Sequence, residues 1–104
     1  MKARIARYTF TGDEQQLGRE AEEGLLPIFQ SLPGFKSYSV ATSGNEIFSF
    51  SAWESQEDAE AAGEAAANWV AENMGDELTF AEGHVGEILF STTLGVTTKS
   101  GATA

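Results

Sequence analysis

Apolar and polar positions alternate in several short stretches and recur at helical intervals in two longer ones, so the chain reads as strands separated by two amphipathic helices. Ala3 to Thr11 combines β-branched, aromatic and basic side chains with period-two character, then meets Gly12-Asp13, as a strand followed by a turn does. From Asp13 to Ser31 the apolar residues Leu17, Ala21, Leu25, Ile28 and Phe29 return every three or four positions, continued by Leu32, with acids between them; this predicts a helix whose positive end is met by Asp13 and Glu14. Pro27 has no amide proton and crowds the preceding turn, which predicts a kink or a short second helical piece. Leu32-Pro33-Gly34-Phe35 ends the helical section.

Phe35 to Thr42 and Glu46 to Trp53 are two further strands, joined by the hairpin turn Ser43-Gly44-Asn45. Ser55 followed by Asp58 resembles a capping box and opens a second helix, rich in alanine and glutamate, that runs through Met74. Ala59, Ala62, Ala66, Trp69, Val70 and Asn73 fall on one of its faces, and Gly75 suits a left-handed stop. Leu78 to Thr93 supplies the last strand, interrupted by a bend or bulge near Gly83 or Gly86.

The order is then β-α-β-β-α-β, the split βαβ or ferredoxin-like α+β arrangement, a four-stranded antiparallel sheet with both helices on one face. Residues 1–94 form that domain, and residues 95–104 are a frayed or partner-docked tail. Grouping Tyr8, Phe10, Tyr38, Val40, Phe48, Phe50, Ile88 and Phe90 on one face leaves Ile5, Ala41, Ile47, Trp53, Val85 and Leu89 on the other. Neither face is mainly charged, so the face without helices needs cover. A homodimer with two sheets packed into a barrel supplies it.

Composition narrows the function classes. The 104 residues allow one core, and 41% apolar content is enough to build it. Six basic residues against sixteen acidic ones give a formal charge of −10, which argues against nucleic acid or an anionic membrane surface as partner. Lys2, Arg4 and Arg7 hold half the cations, while the stretch from Ser37 to Thr98 carries eleven acids and no Lys or Arg, as a solvated acidic face or an acidic docking surface would. Zero cysteines exclude a disulfide framework, a thiolate nucleophile and Cys-ligated metal centres, and are compatible with the cytoplasm. No apolar run approaches a spanning helix, and the first residues run into a strand pattern instead of a signal-peptide segment; neither membrane insertion nor export is expected. One histidine and scattered carboxylates give no recognisable metal-ligand spacing, and Gly83-His84-Val85-Gly86 lacks the strand-to-helix context of a phosphate loop.

The short basic first strand, the Leu32-Pro33-Gly34-Phe35 helix exit, the hairpin ending in Ser51-Ala52-Trp53-Glu54-Ser55, the acidic start of the second helix and the final strand together resemble the dimeric α+β barrel superfamily. Within it, the chain is similar to the small antibiotic-biosynthesis-monooxygenase-like proteins. The resemblance implies a cavity in each subunit between helices and sheet. It also implies oxidation of a small aromatic or quinol by molecular oxygen with no cofactor, neither metal nor flavin. A non-catalytic ligand-binding or stress-associated barrel, and a purely structural dimer, are the other readings.

Such oxygenation needs a pocket that binds an electron-rich phenol, favours its anion and excludes water. The candidates are His84, Tyr8 and Arg7 for catalysis, with Tyr38, Asn68, Trp69 and Asn73 for substrate binding. His84 titrates near neutrality when unperturbed and suits a base, or is a surface histidine. Arg7 suits a phenolate, or is the ion-pair partner of nearby acids. Trp69 is pocket wall or core, Trp53 a packing element of the strand-to-helix junction, and the two tyrosines are donors or buried rings. The haem-degrading branch of the superfamily carries an Asn on the first strand and a Trp and His on the second helix. This chain offers Ile5 or Arg7 and only Trp69 there, so haem degradation is disfavoured. The polyketide oxygenases place an arginine on a later strand, and none lies there here, so their site does not transfer intact.

Overall fold

The computed structural model describes residues 1–98; the last six residues of the expected tail lie outside the described residues. Four strands, β1 (Lys2–Phe10), β2 (Phe35–Ser43), β3 (Glu46–Trp53) and β4 (Leu78–Glu87), form one sheet in the order β2-β3-β1-β4, with every neighbouring pair antiparallel. This is the ferredoxin-like α+β topology, with the helices following β1 and β3.

The first helical section starts where Asp13 caps it, its Oδ2 accepting the Gln16 N–H at 3.2 Å. It then divides into α1 (Glu14–Glu20), a π-helical turn (Ala21–Leu25) and α2 (Leu26–Ser31). The expected short second helical piece is therefore present as α2, with Pro27 in its first turn, and the π-helical turn directly precedes it. Pro27 cannot donate to the carbonyl four residues back, and the chain adapts upstream, where the Leu26 N–H bonds to the Ala21 carbonyl in the wider five-residue pattern.

The second expected helix is α3 (Gln56–Asn73), capped by Ser55, whose Oγ accepts the Asp58 N–H at 3.1 Å. Its stop differs from expectation. Gly75 is not among the glycines with positive φ, and the chain turns through Met74 instead, whose carbonyl accepts the amides of Glu77 and Leu78. Asn73, expected on the apolar face, is exposed.

The two faces of the sheet also differ from the sequence grouping. Arg4, Ala6 and Tyr8 of β1 lie beneath the helices, and the register pairs Tyr8 with Ile47 and Phe80, and Arg4 with Ser51 and Val85. Ile47, Trp53 and Val85 thus join Tyr8 and Tyr38 on the helix side, whereas Phe48 and Phe50 lie on the open side with Ile5 and Arg7. On β3 each parity carries two large apolar side chains, Ile47 and Trp53 on one and Phe48 and Phe50 on the other, so alternation alone does not fix its phase. On β4 one extra residue, Ala81, falls between Phe80, opposite Tyr8, and Glu82, opposite Arg7. This bulge precedes Gly83, and it keeps Phe80 and Val85 on one face although their spacing is odd. The strand ends at Glu87, so Leu89 and Phe90 lie beyond the sheet and are exposed.

Trp53 and Phe29 are wholly buried at the centre of the core, with ring centroids 5.3 Å apart, and Phe29 packs on Tyr38 at 4.7 Å. Ala59, Ala62 and Ala66 let α3 approach these rings closely. The Trp53 indole N–H donates to Ser51 Oγ at 2.9 Å, which satisfies its polar edge. Trp53 thereby takes the packing role.

Candidate functional site between helices and sheet

Three adjoining spaces lie between the helices and the sheet. The first is a groove of about 480 Å³ where α1 and the π-helical turn face β2; Glu14, Arg19, Glu22 and Thr42 line it together with apolar Leu26 and Val40. The second is a waist of about 30 Å³ inside the domain, bounded by Arg4, Tyr8, Tyr38, Ser49 and Trp69. That is room for about one water molecule. The third is a cleft of about 350 Å³ between α3 and the β1–β4 edge, walled by Gly63, Ala67, Val70, Leu78 and Phe80. Tyr38 lines both groove and waist, while Arg4 and Tyr8 line both waist and cleft, so the three spaces meet around these side chains.

Three of the seven expected site residues come together at the waist. Tyr8 is buried, with its ring edge-on to Phe80 at 5.5 Å. Tyr38 packs under Phe29. Burial pushes its phenol up to about 12, the hydrogen bond with Ser49 pulls it back, the neighbouring Tyr8 raises it and Arg4 lowers it. Tyr38 therefore holds its proton at neutral pH. The Trp69 indole lies against Gly24 of the π-helical turn, where a Cβ would stand 2.6 Å from Cζ2. The wide turn and the missing side chain together let the indole reach the waist.

The other four lie elsewhere. Arg7 is on the open face, its Nη1 paired with Glu46 and its Nε with Glu82 at 3.1 Å; these hydrogen bonds, Glu46 first, raise its pKa further. Arg7 takes the ion-pair reading. His84 is exposed on the same face, Nε2 3.5 Å from Glu82, and Arg7 followed by His84 holds the Glu82 carboxyl below the usual carboxylate range. Asn68 is exposed on α3, and Asn73 is exposed with its Nδ2 donating to the Trp69 carbonyl at 2.9 Å, a local bond on the last turn of the helix.

The residue that the sequence reading passes over is Arg4. It is 8% exposed, lines both waist and cleft, and makes no hydrogen bond or ion pair with any described residue. Strand parity was the available signal: Arg4 shares a face with Tyr8, four positions on, whereas Arg7 does not. A Cβ on Gly63 would stand 3.0 Å from Arg4 Nε, so the guanidinium passes directly beneath α3. Such a site offers a fixed positive charge, phenolic donors and aromatic walls. Among the described residues, none bounding the waist is a histidine or a carboxylate.

No protein-family model matches the sequence, and no curated protein is similar to it. Solved structures do share its α+β architecture. MupZ from Pseudomonas fluorescens aligns with a TM-score of 0.66 at 8% identity over 81% of this chain and 65% of that one, so the chain spans just under two thirds of the longer protein. SnoaB from Streptomyces nogalater, a cofactor-independent oxygenase, aligns with a TM-score of 0.65 at 14% identity, covering 88% of this chain and 95% of its own. A structure from Nitrosomonas europaea, provisionally named an antibiotic biosynthesis monooxygenase, aligns with a TM-score of 0.64 at 18% identity, covering 86% and 90%. At these identities the likeness is one of fold. It is the fold of the antibiotic-biosynthesis-monooxygenase-like structures.

Proposed function

We propose that this protein is a homodimeric, cofactor-independent oxygenase of a small phenolic or hydroquinone-type aromatic, working in the cytoplasm, with its substrate held between helices and sheet. The carrying observation is the waist, where Tyr8, Tyr38 and Trp69 surround the buried and unpaired Arg4. The fold shared with SnoaB supports the same reading.

The chemistry asks little of the protein. An ionised phenol places negative charge on a ring carbon, which passes an electron to dioxygen and then forms a C–O bond. Loss of water from the resulting hydroperoxide leaves a carbonyl, so a ring CH2 and O2 give C=O and H2O, and the substrate supplies all four electrons. The site's part is to stabilise the anion through Arg4, orient it by the tyrosine hydroxyls and keep water out. Because no histidine or carboxylate bounds the waist among the described residues, the substrate must ionise on its own or arrive as an anion. The same feature favours the second reading, a small-ligand-binding barrel without turnover.

In this proposal the open face, with Ile5 and Phe50 exposed and Phe48 half-buried, is covered by the same face of a second copy. Dioxygen uptake with a panel of hydroquinones and phenolic ring ketones tests the reading, on material first shown by sedimentation to be a dimer at micromolar concentration. Enzyme-dependent uptake is expected, with kcat/KM about tenfold lower in Tyr8→Phe. No uptake with any electron-rich aromatic selects the binding protein, and a loss confined to His84→Ala moves the chemistry to the open face. A monomer contradicts the pairing.

A further inference from the structure

We infer that the cleft between α3 and the β1–β4 edge is the seat of the ligand's ring system, and that Arg4 at its floor anchors an anionic oxygen carried by that ring. The inference rests on the proposed reading that the protein binds an aromatic, and it assigns the ligand's charge, its anchor and the side from which it enters.

Two independent observations converge on the cleft. The first is the state of Arg4, a residue only 8% exposed that lines the cleft and has no carboxylate or carbonyl bonded to its guanidinium among the described residues, although none of its nitrogens is fully enclosed and unsatisfied. A charge so little exposed and without a counter-charge is incompletely compensated, and an anion entering the cleft would complete its pairing. The second is the asymmetry of the two openings. The groove on the β2 side carries Glu14 and Glu22 against the single Arg19, and Thr42 Oγ1 reaches across it to donate to Glu14 Oε2 at 2.6 Å. In the cleft, Arg4 is the one charged side chain among the described lining residues. In a protein of formal charge −10, an anion is repelled from the first opening and received at the second.

The walls fit a flat ring. Gly63, Ala67 and Ala71 of α3, with Gly75 just beyond it, give the cleft a side without bulk, and Leu78 and Phe80 close the opposite wall, Phe80 being 57% exposed and meeting Tyr8 edge-on. A volume of about 350 Å³ falls within the usual range of small-ligand pockets. Tyr8 borders the same space and supplies a hydroxyl to the bound oxygen.

Equilibrium binding of 4-nitro-1-naphthol, an acidic phenol coloured as its anion, and of its methyl ether, which carries no charge, tests the inference without turnover. The wild type should bind the naphtholate at least about tenfold more tightly than the ether. Arg4→Gln should erase that difference and Arg4→Lys should restore part of it, while Ala67→Phe, which fills the cleft from an exposed helix position, should weaken both ligands. Arg4→Met should raise the melting temperature while abolishing the preference, since it removes an unpaired buried charge. A purely structural arginine would lower it. Equal affinity for the two ligands, no binding of the naphtholate, or a greater loss from Gln15→Trp in the opposite groove than from Ala67→Phe would overturn the inference. Dioxygen uptake without a charge preference would overturn it and leave the oxygenase reading standing.

Discussion

Tyr38 shows how one side chain's surroundings limit what it does. With its phenol near 12 when folded and about 10 in the unfolded chain, folding favours the neutral form. The sign follows from linkage: the unfolded state releases this proton first, so the contribution is intact below about pH 10 and declines as pH rises toward 12. Chemical denaturation between about pH 9 and 11 should show a steeper loss of stability in the wild type than in Tyr38→Phe, and parallel slopes would contradict the burial that sets this value. Residue by residue, the site was legible in part. Tyr8, Tyr38 and Trp69 stand out in the sequence as aromatics at core-facing spacings. Arg4 was hidden behind Arg7, because the acids that pair with Arg7 come from β3 and β4 and only the folded sheet brings them to it.

Among the elements, the break in the first helical section has the plainest consequence. Gly24 allows the π-helical turn to press on the Trp69 indole, and any side chain there meets the ring. Gly24→Ala should destabilise the protein, since overpacking costs about 1–3 kcal/mol and the better helix propensity of alanine returns at most about 1 kcal/mol. Denaturant titration checks this, and an unchanged or higher midpoint would contradict the contact. The caps at Asp13 and Ser55 and the hairpin at Gly44 were readable because local side-chain and backbone chemistry decides them. An irregularity at Pro27 and a bulge near Gly83 were also readable, but the π-helical form of the first and the exact residue of the second, Ala81, were not. Each is a one-residue change of register whose exact position the hydrophobic periodicity does not mark.

For the whole molecule, the order of elements was enough to give the topology, because β-α-β-β-α-β with right-handed crossovers leaves few alternatives. Which side chains face the helices was not settled, since both parities of β3 carry large apolar side chains and the phase of β4 shifts at its bulge. Two surfaces result. One, under the helices, holds the waist and the cleft with Arg4; the other, open, holds Ile5, Phe50, His84 and the Arg7 ion pairs. The central claim is that small aromatic ligands belong to the first. An amide NMR titration of the full chain with 4-nitro-1-naphthol separates the two surfaces directly. The largest shifts should fall on Gly63, Ala67, Gly75 and Tyr8, and shifts confined to Ile5, Phe50 and His84 would contradict the account.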